Sequence, residues 1–141
     1  MMKKIDIAKH QLDRAISLFL NENDFICAIT LGGAAEEILG KEIQRHGNTS
    51  ACDDLTSILR KKYAPDSSQK EIRNKHLNSV RNAIKHFNDE NEQEVDTNWE
   101  AQAIQMLARC CINIIRLDAQ PTEQFHRFIE RYQNDNRYNN I

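Results

Sequence analysis

Arg81-Asn82-Ala83-Ile84-Lys85-His86 places a guanidinium and an imidazole five residues apart on one short stretch. An imidazole titrates near neutrality and can take or give a proton, and a guanidinium can hold an anion through two parallel hydrogen bonds. Asn82 lies one helical turn before His86, where its amide can hold one ring nitrogen and leave the other free. Lys85 lies one turn after Arg81 and adds charge beside it. Nothing in the sequence supplies a metal-ligand cluster for this chemistry. The four cysteines, Cys27, Cys52, Cys110 and Cys111, show no CxxC spacing, so no metal and no cofactor is expected. They read as reduced, mostly buried apolar residues.

The element that carries the pair opens at Ser68-Gln69-Lys70-Glu71, a capping box in which Ser68 can accept from the Glu71 amide. Its helix is expected to run through Phe87. Ile72, Leu77, Val80, Ala83, Ile84 and Phe87 then form its core stripe, with Arg81 and His86 on either flank. His76 falls on the stripe and reads as a core residue. Before it, Ile5, Ala8, Leu12, Ala15, Ile16 and Phe19 recur at three- and four-residue steps and define a first helix, ending near 21–23. Asp24 or Asn23 caps a long second helix that ends at Gly47. Gly32 and Gly33 in its middle disfavour helix, so a neighbouring helix is expected to pack closely there. A short third helix covers 53–63, and Pro65 interrupts the pattern. Residues 88–95 form a loop, and Thr97-Asn98-Trp99-Glu100 reads as a second capping box. The next helix carries Ala101, Ile104, Leu107, Ala108, Cys111, Ile114 and Ile115 on one face. Residues 123–132 make a last short helix.

These elements fit one all-α domain, an up-and-down bundle of five or six helices spanning 1–133, followed by a flexible asparagine-rich tail at 134–141. The chain has 141 residues, enough for one domain of ordinary size, and only six are Gly or Pro, too little turn punctuation for a strand-rich fold. Lys3 and Lys4 are followed by Asp6, Lys9 and Asp13 instead of an apolar run, so no signal peptide is read, and no stretch is apolar enough to cross a bilayer. A cytoplasmic protein is expected, with no membrane partner.

The net charge is -2, yet the charge is unevenly placed. Residues 60–86 hold eight basic and two acidic residues, whereas 87–100 hold six acidic residues and no basic one. Lys61, Lys62, Arg73 and Lys75 are therefore candidates for an RNA-facing surface. The plainer reading makes them the solvated faces of two helices.

The run Arg81 to His86 matches the R-x(4-6)-H motif of the HEPN superfamily, including the polar residue after the arginine. The helical chain, the alanine-rich second helix with Glu36-Glu37 at its centre, and the position of the motif resemble that family over residues 5–130. The resemblance implies a HEPN-like bundle that dimerises so that two motifs share one cleft, acting as a metal-independent endoribonuclease of a toxin or defence system. It further implies an antitoxin or nucleotidyltransferase partner. His86 would then take the proton from a ribose 2′-hydroxyl, which attacks the adjacent phosphate, while Arg81 stabilises the growing negative charge. Asn82 and Lys85 would support them. The alternative is a non-catalytic HEPN-like module that binds a protein partner or a nucleotide. A purely structural reading pairs Arg81 with an acidic residue of the following loop and makes His86 a cation at a helix C-terminus. Glu36 and Glu37 either orient His86 or form a solvated edge. Trp99 and Tyr63 read as packing anchors. A ribonuclease needs Arg81 and His86 around an open positive cleft; a binding module can bury or ion-pair them.

Overall fold

A computed structural model of the chain describes residues 1–135 and 137. Among these it is all-helical, with seven α-helices: α1 Lys4–Glu22, α2 Phe25–Arg45, α3 Ala51–Tyr63, α4 Gln69–Ile72, α5 Ser79–Ala83, α6 Trp99–Arg116 and α7 Glu123–Asn134. A single π turn, Arg73–Leu77, joins α4 to α5. Side-chain caps open five of the seven α-helices. Asn23 takes a left-handed φ of 52°, and the Asp24 amide returns to the Leu18 carbonyl at 3.1 Å, which closes α1. Asp24 then accepts from the Cys27 amide at 3.1 Å to open α2. Ser68 caps α4 as expected, accepting from the Glu71 amide. Ser50 starts α3 two residues ahead of the expected point, accepting from the Asp53 amide. Asn98, not Thr97, caps α6. Thr122 caps α7, and its hydroxyl also donates to Asp13 of α1, tying the two helices together.

The core lies among α1, α2, α6 and α7, closed on one side by Val80 of α5. Gly32 of α2 faces α6: a Cβ there would meet Met106 Cγ at 3.1 Å and Leu107 Cδ2 at 3.3 Å. The Cys110 thiol donates to the Gly32 carbonyl at 3.2 Å, so the close helix approach expected at the glycine pair is present. Just past the end of α2, the Ala51 amide meets Asn113 and the Thr49 carbonyl meets Arg116 near the end of α6, so α2 and α6 run in the same direction. The segment α4–π–α5 runs back against α2, with Arg73 near the α2 C-terminal end and Arg81 near Gly33.

The expected single helix from Ser68 to Phe87 is thus divided, and this raises the helix count to seven. In an unbroken α-helix Ile72, His76, Val80, Ala83 and Phe87 would share a face. The π turn spends one extra residue in its loop, with the Asn78 amide bonding the Arg73 carbonyl at 2.8 Å, five residues back. The inward positions become Ile72, Leu77 and Val80. His76 and Ala83 turn outward, and Phe87, 70% exposed, lies beyond the end of α5; all three depart from the expected stripe. Tyr63 is also exposed instead of anchoring the packing, with the Lys62 ammonium 5.2 Å from its ring centre. The expected tail begins inside α7 at Asn134; residues 136 and 138–141 lie outside the described residues.

Candidate functional site

Arg81 leaves α5 toward α2, and its stem lies on Gly33. A Cβ at Gly33 would stand 3.0 Å from Arg81 Cδ and 3.1 Å from Nε, so any larger residue would make the Arg81 stem shift by a few tenths of an ångström. The guanidinium then reaches two carboxylates on the next turn of α2. Arg81 Nη2 donates to Glu37 Oε2 at 2.7 Å, and Nη1 lies 3.5 Å from Glu36 Oε2, with 12% of the Arg81 side chain exposed. Glu36 is itself shared. Arg109 of α6, 1% exposed, donates through Nη2 to Glu36 Oε2 at 3.2 Å and to Asn78 Oδ1 at 2.9 Å. Arg109 Nη1 donates to the Leu77 carbonyl at 3.3 Å, where the π turn passes into α5. Two guanidiniums and two carboxylates thus form a neutral chain across α5, α2 and α6. Burial raises the stakes of the Arg109–Glu36 link, since an unpaired charge there has little solvent to replace its partner.

Arg81 and Asn82 line a polar cleft of about 250 Å³ between α2 and α4–π–α5, whose walls also include Arg73, Asn74, Asn78 and Lys41. Arg73 is ion-paired with Asp53 at 3.0 Å, and Asp53 also accepts from Gln44 at 2.7 Å. The cleft therefore carries arginines whose charge is already met.

His86 lies elsewhere. Helix α5 ends at Ala83, and the His86 amide bonds the Asn82 carbonyl at 3.1 Å in the turn that follows. Its exposed side chain lines a second groove of about 570 Å³, beside Ala83, Glu92, Glu94, Val95 and Asp96. Asn74 and Asn82 line both clefts. Within one chain, then, Arg81 is brought to Glu36 and Glu37, and His86 to the acidic loop. Asn82 makes no side-chain hydrogen bond to the His86 ring among the described residues. Lys85 lines a third groove, with residues of α1 and α2. Lys61, Lys62 and Lys75 are exposed. His46 pairs with Glu42 at 3.1 Å, and His126 packs edge-on against Phe125.

Arg109 is the residue that sequence reasoning missed; at Gly33 it expected a closely packed helix, and the close neighbour is the Arg81 stem. The signal for Arg109 was present: with Asn113 it is one of two polar residues, one turn apart, inside an otherwise apolar run of α6. Both are buried, and Asn113 Oδ1 accepts from the Ala51 amide at 2.9 Å. The buried thiols are chemically quiet. Burial pushes Cys110 well above its ordinary value and Cys111 up to about 12, so neither supplies a thiolate near neutral pH.

No group of three or more His, Cys, Asp or Glu side chains is placed to hold a metal ion, and no helix is long and apolar enough to cross a membrane, among the described residues. No family model matches the chain, and neither a curated protein nor a solved structure matches it.

Proposed function

We propose that this chain is a HEPN-like helical module that acts by binding a protein partner, with Arg81 holding the fold together instead of holding a phosphate. One observation carries the reading: the Arg81 guanidinium is met by Glu36 and Glu37 and only 12% of its side chain is exposed. A phosphodiester entering there would have to displace a carboxylate at 2.7 Å and would meet no net positive charge. The surroundings of His86 add to this, since Glu92, Glu94 and Asp96 around it repel an RNA backbone. The deciding experiment is an RNA cleavage assay in EDTA on the wild type and on His86→Ala. The expected outcome is no cleavage by either protein. Cleavage by the wild type that His86→Ala abolishes, leaving 2′,3′-cyclic phosphate ends, would falsify the reading.

A second reading is the metal-independent endoribonuclease, favoured by the exposed His86 ring, which has no side-chain partner among the described residues. In it a second copy supplies the other half of the cleft, Glu37 releases Arg81, and His86 acts as the base toward a ribose 2′-hydroxyl. Light scattering that finds only monomer at micromolar concentration removes this reading.

A further inference from the structure

One apolar-floored groove has no role in either reading so far. It holds about 760 Å³ between the start of α1, one face of α2 and the turn after α5. Ile5, Ala34 and Ile38 form its floor, each only partly buried. Lys3, Lys4, Lys41 and Lys85 stand around it. The carboxylates that also line it are already engaged: Glu37 meets Arg81 at 2.7 Å, and Glu42 meets Arg45 at 3.2 Å and His46 at 3.1 Å. None of the four lysines has an ion pair among the described residues. An otherwise mildly acidic chain therefore surrounds one apolar trough with unmatched positive charge, contributed by three separate parts of the sequence.

We propose that this groove takes an acidic amphipathic segment of a partner protein, laying apolar side chains on Ile5, Ala34 and Ile38 and carboxylates against the lysines. This deepens the protein-binding reading above and rests on it. Two features favour a peptide over a nucleic acid. The floor is aliphatic, and a sugar–phosphate backbone has nothing to bury against it. No aromatic side chain lines the groove, so unpaired bases find no stacking platform. A helix carrying Leu at i, i+3, i+4 and i+7 with Glu and Asp elsewhere meets both demands at once.

The test uses the full chain and four probes in titration calorimetry. They are a synthetic peptide of that Leu and Glu/Asp pattern, the same peptide with Ser for Leu, the same with Lys for Glu and Asp, and an oligouridine of similar length. The expected result is binding of the first peptide that weakens by about tenfold or more in Lys41→Glu/Lys85→Glu, and that also weakens as salt rises, because exposed charges are screened. The Ser peptide should bind about tenfold more weakly, and the Lys peptide should not bind. Both substituted residues are exposed, and circular dichroism checks that the helices remain. Absence of binding, or affinity unchanged in the double variant, overturns the groove assignment and leaves the binding-module reading standing. Oligouridine binding lost in the double variant assigns the groove to nucleic acid and overturns the proposal. Cleavage in EDTA that depends on His86 overturns the module reading itself.

Discussion

A methyl group at Gly33 would press on Arg81 Cδ at 3.0 Å, while the same change relieves the helix of a glycine worth about 1 kcal/mol of propensity. The two effects separate in a double-mutant cycle. Gly33→Ala alone should destabilise by about 1–3 kcal/mol, because Arg81 is pinned at its far end and cannot retreat. In an Arg81→Ala background the same Gly33→Ala should stabilise, and urea denaturation of the four proteins reads the change of sign. The two carboxylates should differ as sharply. Glu36→Ala leaves Arg109 buried and short of its charge partner, a loss of about 3–5 kcal/mol. Glu37, with 55% of its side chain exposed, should cost under about 1 kcal/mol when replaced by Ala; paired thermal melts test the contrast. Cys111 gives the chain an alkaline limit. The unfolded thiol ionises near 9.0, whereas the folded one keeps its proton up to about 12. Between those values the unfolded chain binds fewer protons, so stability falls as pH rises, by roughly 1 kcal/mol per pH unit. Below pH 9 both states are protonated and the slope vanishes. Denaturation midpoints at several alkaline pH values should fall less steeply in Cys111→Ala, and an unchanged slope would assign the limb to other groups.

The π turn makes the phase of α5 depend on residue count. Deleting exposed Lys75 returns the turn to α geometry while leaving Ile72, Leu77 and Val80 in phase, so the fold should survive with a loss under about 2 kcal/mol. Deleting Ser79, just after the turn, rotates Arg81 by about 100° away from α2 and should cost several times more; circular dichroism melts of the two deletions compare them. This turn is also where the sequence was least legible. Asp24 and Ser68 announced their helices because a cap is a local bond between residues three apart. The break at 73–77 has no such local mark: it places Leu77 and Asn78 on Arg109, which lies more than thirty residues further along. The partners of Arg81 were hidden for the same reason, since Glu36 and Glu37 stand more than forty residues before it. Periodicity places Arg81 at the edge of the stripe, whereas Glu36 and Glu37, read as orienting His86 or as a solvated edge, meet Arg81 instead. Which carboxylate went to which cation, and that His86 would face the other side of α5, depended on a helical phase that only packing decides.

At the scale of the whole molecule, cap bonds and a shared core join α1, α2, α6 and α7, while α4–π–α5 is held to the rest by the inward Ile72, Leu77 and Val80 together with the polar contacts of Asn78 and Arg81. Buried Arg109 is the hub of those contacts, and a guanidinium cannot shed its water early in folding without its partners in place. The search for the native arrangement therefore has a gate. In the native register Glu36, Asn78 and the Leu77 carbonyl reach Arg109 together; a register that brought α2 and α6 together without them would leave a buried guanidinium unpaired. An Arg109→Met/Glu36→Leu chain, freed of that gate, should fold faster in stopped-flow refolding, with an equilibrium loss of about 1–3 kcal/mol for each of the two acceptors left without a donor, Asn78 Oδ1 and the Leu77 carbonyl. What it should forfeit is uniqueness: broadened amide resonances of residues 73–83 would show that the charged hub had been rejecting near-native registers that an oily core accepts.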